Sequence, residues 1–270
     1  MFYIFIFIFG LAVGSFLNCV IYRLKPKELS SFSFVWGRSY CPHCKHPLSW
    51  QDLIPVFSFF ILGGKCRYCH KKISIQYPLI ELTTGILFLF IFWILDFEIC
   101  NLFGIWNLAF WILISCFLII IFVYDFKHYI IPDKIIYPAI LLTLVFRIWD
   151  LFRNWELGIR NWETLFNYFG PALGGAVFFL AIVLMSRGKW MGVGDVKLAF
   201  LIGLLLGWPN TLLALFFAFL IGAIIGLGLI ILKKKTIKSE VPFGPFLILG
   251  IYLALFFGEK IINWYLELFI

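Results

Sequence analysis

The chain of 270 residues is 63% hydrophobic and only 13% charged, with a mean hydropathy of +1.01 and a net charge of +8. Soluble domains are roughly half apolar and about a quarter charged, so this composition excludes a soluble globular protein and indicates an integral membrane protein. The positive charge then suits basic cytoplasmic loops, and we expect the lipid bilayer as a partner and no nucleic acid.

Runs of about 20 apolar residues recur along the chain and predict an all-α polytopic membrane protein with about eight transmembrane helices. The sixth is short for a straight crossing, and the last could extend to residue 268. The first has neither a basic segment ahead of it nor a cleavage site, so we expect a retained helix rather than a signal peptide. The predicted helices cover 2–22, 78–96, 105–124, 134–150, 168–186, 196–207, 211–232 and 243–257.

The distribution of Lys and Arg predicts the orientation in the membrane. The segment 23–77 holds nine basic residues against two acidic ones, which predicts a cytoplasmic location. Alternation through eight helices then places 18 of the 22 Lys and Arg on the cytoplasmic side. The same alternation puts 125–133 and 187–197 at that face, together with Asp125 and Asp195.

Segment 23–77 is the one soluble piece long enough for a small domain. We therefore divide the chain into a first helix, 1–22, a cytoplasmic domain, 23–77, and a membrane core, 78–270. A domain of this size cannot rely on a hydrophobic core alone, so a covalent or metal staple is expected.

Four cysteines in this domain form two CxxC units with 21 residues between them, just outside the usual zinc-ribbon spacing of about 15–20. Four thiolates complete a tetrahedral zinc site, and a closed site of this kind is structural. Unligated thiols are the alternative, and we interpret the adjacent histidines, His43, His46 and His70, as loop residues. The predicted zinc ligands are Cys41, Cys44, Cys66 and Cys69.

Two aspartates lie where apolar runs end. Asp195 belongs to the segment Met191–Lys197, in which Gly192 and Gly194 allow a sharp bend and the close approach of another chain. Asp125 follows the apolar run 112–123. Because an ionisable group beside an apolar span is costly, both are candidate functional residues. A structural salt bridge of Asp125 to Lys127 or Lys197 is the alternative.

Three further features allow both a structural and a functional interpretation. Glu81 lies in the predicted first turn of the second helix, where it complements the helix dipole or faces the Asp pair as a third acid. Asp133 begins the fourth helix or supports the site. The segment Pro242–Phe246 starts the last helix, and its irregular backbone could also shape a substrate groove.

Two carboxylates held close together cannot both ionise at low cost, so one remains an anion that can activate water while the other keeps a proton to donate. This arrangement hydrolyses peptide bonds without a covalent intermediate. The alternatives are a proton-coupled transporter that uses the same Asp pair as a relay, and a zinc-binding interaction domain on an inert membrane anchor. The sequence contains no Ser-His-Asp set, HExxH motif or P-loop.

Several segments together resemble the bacterial type IV prepilin peptidases, which belong to the GxGD class of membrane aspartyl proteases. They are GSFLNCVIYRL from Gly14, the two CxxC units, YPLIELTTG from Tyr77, DFKHYIIPD from Asp125, GVGDVK from Gly192 and PFGPF from Pro242. The similarity runs nearly from end to end in the same order.

The resemblance implies an enzyme of the bacterial inner membrane that cleaves the leader of type IV prepilins or type II secretion pseudopilins at the cytoplasmic face. The catalytic pair corresponds to Asp125 and Asp195, and Glu81 matches the acid of the YPLxE motif. Members with the four-cysteine domain typically also methylate the new N-terminus with S-adenosylmethionine. Supporting residues are expected among Gly192, Gly194, Lys197 and Asp133.

Overall fold

In a computed structural model of the protein, the described residues are 2–24, 38–95, 102–156, 161–233 and 241–268. Residues 25–37 of the predicted cytoplasmic domain and most of the basic run 233–240 lie outside them. The described ranges contain α-helices and a short 3-10 helix, Trp50–Leu53, but no strand beyond two isolated bridges. The α-helices are α1 (Phe2–Arg23), α2 (Phe57–Ile61), α3 (Gln76–Leu95), α4 (Leu102–His128), α5 (Asp133–Glu156), α6 (Asn161–Ser186), α7 (Val193–Leu206), α8 (Asn210–Ile231) and α9 (Gly244–Glu267).

All eight predicted membrane helices are present, so the predicted all-α polytopic fold is confirmed. Seven of the helices in the described ranges are long and apolar enough to cross a bilayer. The exception is α7, whose 14 residues extend for about 21 Å, whereas a hydrocarbon core is about 30 Å thick. The protein is therefore a multi-pass membrane protein with one short helix.

Several helices extend beyond the predicted apolar runs, and this changes the setting of two acids. Because α4 continues to His128, Asp125 lies inside its last turn rather than after it. The prediction that Glu81 lies in the first turn of its helix is wrong, because α3 begins at Gln76 and Glu81 therefore lies in the second turn. The apolar run marks the part of a helix that faces hydrocarbon, whereas backbone hydrogen bonding continues into the polar ends.

The chain divides into two compact units, Met1–Ile120 and Ile121–Ile270. In the first unit, α1 packs along α3 through small residues. A Cβ added to Gly10 would lie 2.8 Å from the Cα of Gly85, and one added to Gly14 would lie 2.7 Å from the Cα of Glu81. Asn18 Nδ2 also donates a hydrogen bond to a backbone carbonyl of α3. The predicted division at residues 22 and 77 stays a prediction.

In the second unit, α7 lies among α5, α6, α8 and α9. Its residues from Leu198 to Leu206 are almost all buried, with Phe200 half-buried, so the short helix is enclosed by protein. The closest approach is at Gly203, where a Cβ would overlap the backbone of Ala172 on α6. The absence of a side chain at Gly203 thus sets the α6–α7 spacing.

We expect Gly203→Ala to destabilise the protein by about 1–3 kcal/mol or more, because the added methyl forces α6 and α7 apart. The thermal unfolding midpoint in detergent measures the effect. Gly226→Ala is the matched control, since a Cβ at this helical glycine of α8 meets nothing within 4 Å. An equal midpoint for the two variants would contradict the proposed packing constraint.

Candidate active site

Among the carboxylates of the second unit whose side chains the structure describes, Asp125 is the most deeply buried, with 4% of its surface exposed. It lies in the last turn of α4, where the helix dipole disfavours an acid. The backbone N–H of Gly244, the first residue of α9, donates a 3.1 Å hydrogen bond to its Oδ2. The positive end of the α9 dipole thereby offsets the unfavourable position at the end of α4.

Glycine is required at position 244 by the closeness of this contact. A Cβ there would lie 2.5 Å from Asp125 Oδ2, well inside van der Waals contact. The segment Pro242–Phe246 therefore has a specific role within the second unit, which is to bring a free N–H to Asp125.

Asp195 lies in the first turn of α7 and is half-buried. The N–H of Gly192, the residue before the helix, donates a 3.3 Å hydrogen bond to Asp195 Oδ2. Asp195 follows Gly194, which packs against Ile131, and Ile131 also lies beside Gly244, whose N–H binds Asp125. The second unit thus brings these two predicted residues together from positions 70 residues apart in the chain.

The side chain of Ile131 packs against the first turn of α7, which carries Asp195, and the first turn of α9, which binds Asp125. It is 7% exposed and lies in the turn between α4 and α5. A Cβ at Gly194 would lie 2.9 Å from Ile131 Cβ, and a Cβ at Gly244 would lie 3.5 Å from Ile131 Cδ1. Glycine at position 194 thus lets the first turn of α7 close on this turn, and the first turn of α9 lies beside the same side chain.

Lys197 forms an ion pair with Asp133, the first residue of α5, and its ammonium lies 4.7 Å from the centroid of the Tyr137 ring. These contacts connect α7 to α5 beside the carboxylate pair. The ion pair that the structure shows for Lys197 is thus with Asp133, not with Asp125. Asp133 also occupies the helix-start position that was its structural alternative.

Glu81 belongs to the first unit and is 7% exposed. Its Oε2 accepts a 2.7 Å hydrogen bond from the N–H of Val56. Val56 has a φ of 63°, a left-handed conformation that is rare for a β-branched residue. Glu81 therefore stabilises an unusual turn of the cysteine-containing segment against α3, and its role as a supporting residue stays a prediction.

The four cysteines converge in two knuckles of the same shape. In each, the first cysteine exchanges backbone hydrogen bonds with the residues after the second one, and a residue with positive φ closes the turn: Lys45 at 63° and His70 at 54°. The four Sγ atoms of Cys41, Cys44, Cys66 and Cys69 all lie within 4.8 Å of one another.

This cluster has the dimensions of a metal site. Zinc bound at about 2.3 Å by four thiolates separates the sulfurs by about 3.8 Å, and Cys41 Sγ lies 3.9 Å from Cys69 Sγ. Hydrogen bonds from Cys44 and His43 outweigh burial and lower the pKa of Cys41 to about 7. The hydrogen bond from the backbone N–H of Lys71 lowers the pKa of Cys69, but burial and the other thiols outweigh it and raise that pKa to about 11. The four sulfurs thus form one cluster whose thiolate forms a bound cation would stabilise.

Nearby contacts support this arrangement. The ring of His46 stacks on Tyr68 with centroids 3.7 Å apart, so its contact is with the second knuckle's aromatic ring. Asp52 accepts hydrogen bonds from Ser49 and Arg67, which lower the pKa of its carboxyl against the effect of burial. Within the described residues, the group with metal-ligand geometry consists of the four cysteines alone.

Comparison with known proteins gives the family. The family model described as "Bacterial Peptidase A24 N-terminal domain" matches residues 8–95, and the model described as "Type IV leader peptidase family" matches residues 112–227. The chain is 33% identical to a prepilin leader peptidase/N-methyltransferase of Legionella pneumophila, over 98% of this chain and 94% of the relative. The chain belongs to the type IV leader peptidase family.

Proteins with the same curated description in Bacillus subtilis and Pseudomonas aeruginosa are 32% and 30% identical to the chain. The matches cover 97% and 96% of this chain, and 97% and 91% of the respective relatives. No solved structure is significantly similar. The resemblance drawn from the motifs is thus confirmed, and the protein is an aspartic peptidase of the membrane. The matches give no support to the transporter alternative.

The sequence analysis did not identify Gly244 as a residue of this candidate site. It lies 119 residues from Asp125, and the interpretation of its motif stopped at a helix start and a groove. A usable signal was present, since a glycine that begins a helix exposes a free N–H that can bind a carboxylate.

The two glycines of the GVGD motif should differ in their tolerance to substitution. We expect Gly194→Ala to lower stability by about 1–3 kcal/mol, because its methyl overlaps Ile131. Gly192→Ala is the matched control, since its Cβ makes only an ordinary contact with Asp195, and a changed helix cap costs at most about 1 kcal/mol. Thermal unfolding in detergent compares them, and a less stable Gly192→Ala protein would refute this difference.

Proposed function

We propose that the protein uses Asp125 and Asp195 to cleave the leader peptide of type IV prepilins or pseudopilins, and that it also methylates the new N-terminus. The observation that carries the proposal is that the segments bearing the two carboxylates converge on Ile131 in one compact unit, with Asp125 bound by a backbone N–H. Membership of the type IV leader peptidase family supports the same reaction.

The pair would act as a unit. One carboxylate, as the anion, takes a proton from a water molecule, whose oxygen attacks the carbonyl carbon of the scissile bond. The other carboxylic acid protonates the departing amine, so that the peptide bond breaks while the two protons are redistributed between the carboxyls. The N–H of Gly244 does not exchange a proton in this reaction, but its hydrogen bond fixes the Asp125 carboxylate in one orientation.

The charge pattern supports a cytoplasmic location for the reaction. Both aspartates lie in segments, 125–133 and 187–197, that alternation through eight helices places on the same side as 23–77. That segment contains the four cysteines and carries nine basic residues against two acidic ones. A basic leader would be retained at that face, at the junction with the apolar segment of the substrate. The proposed setting is the inner membrane of a bacterium.

We propose zinc as the metal of the four-cysteine cluster. Four thiolates would hold it in a closed tetrahedron, and its part would be to stabilise the fold of this small segment rather than to activate water. S-adenosylmethionine is the proposed methyl donor, because the relatives are described as N-methyltransferases. No residue of this chain is assigned to its binding.

Replacing either aspartate should abolish cleavage while the protein remains inserted. We expect Asp125→Asn and Asp195→Asn each to lower the cleavage rate by on the order of 10³-fold or more, since an amide can neither take up nor release the proton. Mass spectrometry of a purified prepilin, with leader and first apolar helix, measures the loss of the leader. Exposed Glu163, replaced by Gln, is the control for a carboxylate outside the site.

Wild-type cleavage followed by one added methyl group, dependent on S-adenosylmethionine, would support the bifunctional assignment. Processing retained by either aspartate variant would refute the assigned pair. A wild-type protein that cleaves no prepilin would contradict the proposed function as a whole.

Metal analysis tests the cysteine cluster independently. We expect about one zinc ion per chain, lost in Cys66→Ser and kept in Cys116→Ser, because Cys116 lies within α4 and outside the cluster. Elemental analysis by mass spectrometry of the purified proteins gives the ratio. Reversible loss of cleavage on chelation, with the fold of the segment unchanged, would contradict a purely structural role.

A further inference from the structure

The end of α7 remote from Asp195 carries an arrangement that the proposed reaction does not use. The last carbonyl groups of α7 have no partner within the helix, and the residues that carry them are buried, so each needs a partner elsewhere in the protein. Arg147 of α5 supplies two of them. Its Nε donates a 2.9 Å hydrogen bond to Leu204 O, and its second donor nitrogen binds Leu205 O.

Arg147 is itself held by neighbours in the second unit. Its guanidinium carbon lies 3.7 Å from the centroid of the Tyr168 ring on α6. The same ring fills the space where a side chain at Gly207 would lie, just after α7. An arginine within a membrane helix is costly unless it is partnered, so this complete set of contacts indicates a specific role.

The charge of Arg147 also suits its position. A cation at the C-terminal end of a helix complements the negative end of its dipole, and Asp195 in the first turn complements the positive end. The planar guanidinium makes two parallel hydrogen bonds, which fix direction as well as distance. A lysine ammonium in this position would lack this fixed planar arrangement of donors.

These contacts fix α7 along α5. The stretch from Leu198 to Leu206 is wholly apolar, so its side chains offer no directional bonds to a neighbouring helix. The polar connections to α5 are the Lys197–Asp133 pair near the first turn and the two Arg147 hydrogen bonds at the last. Helix α5 in turn follows directly from the turn at Ile131, which contacts Gly244 beside Asp125.

We infer that Arg147 is a positioning residue for the carboxylate pair: by binding the last carbonyls of α7 it holds this helix at one height on α5, and so holds Asp195 at a fixed separation from Asp125. The inference rests on the proposed peptidase function. It assigns to Arg147 an effect on the rate of the chemical step rather than on the binding of substrate.

The test compares Arg147→Met, Arg147→Lys and the control Arg153→Met in prepilin cleavage. Arg153 lies on the same helix, and its ion pair is with Asp150 one turn away on α5. We expect Arg147→Met to lower kcat by on the order of 10- to 100-fold, because small misplacements of catalytic groups have effects of this size. KM should stay within about twofold, since substrate contacts are unchanged. Arg147→Lys should be intermediate, and Arg153→Met should match the wild type.

The pH profile of kcat provides a reading that a loss of folded protein would not change. If α7 shifts, the two carboxylates interact less, and the alkaline limb of the profile moves to lower pH. Deuterium exchange of peptides covering 193–206 should increase in Arg147→Met and not in Arg153→Met, which reports the loosened helix without reference to activity.

The inference would be overturned if Arg147→Met kept the kcat and the pH profile of the wild type, whether or not the deuterium exchange of α7 became faster. If Arg147→Met is not recovered in folded form, the same readings on Arg147→Lys decide the question in the same way. Absence of cleavage by the wild-type protein contradicts the proposed function itself, which separates that failure from a failure of the positioning role.

Discussion

A backbone group inside a bilayer has no water to bind, and this constraint explains much of the second unit. Helix α7 is too short to span the membrane, so it is enclosed by four other helices and its last carbonyls are bound by Arg147. Its first turn, by contrast, lies beside Lys197 and Asp133, where polar side chains gather. The short helix thus carries Asp195 on a support enclosed by protein, which suits the catalytic role proposed for this residue.

The same principle, applied to a carboxylate, explains Asp125. Its place in the last turn of α4 is unfavourable for an anion, and burial adds to this cost. A backbone N–H at the start of α9 compensates without adding a charge that would neutralise the site. Glycine at positions 194 and 244 is the steric condition for this arrangement, because the turn at Ile131 and the carboxylate occupy the space that side chains would need.

In the first unit, the metal-ligand cluster and the membrane helices are joined by polar contacts rather than by a large apolar core. Glu81 binds the N–H of Val56, and Asn18 binds the carbonyl of Tyr77. Arg23, at the end of α1, donates to the carbonyl of Arg38 ahead of the first knuckle. A small segment that is closed by four thiolates needs only a few such anchors to hold its place on the helices that carry it.

The sequence by itself determined the membrane class, the eight helices and the two knuckles, because each depends on composition or on residues a few positions apart. It also singled out Asp125 and Asp195, since a lone acid at the end of an apolar run is costly wherever the chain goes. Only the tertiary structure decided the partners: Gly244 for Asp125, Asp133 for Lys197, and two carbonyls of α7 for Arg147. These contacts join residues between 57 and 119 positions apart. Hydrophobic periodicity reports which face of a helix is buried. The partner of a polar group depends instead on how the helices pack. This packing is set by close contacts at glycines, and a local sequence pattern does not identify the residues that those glycines contact.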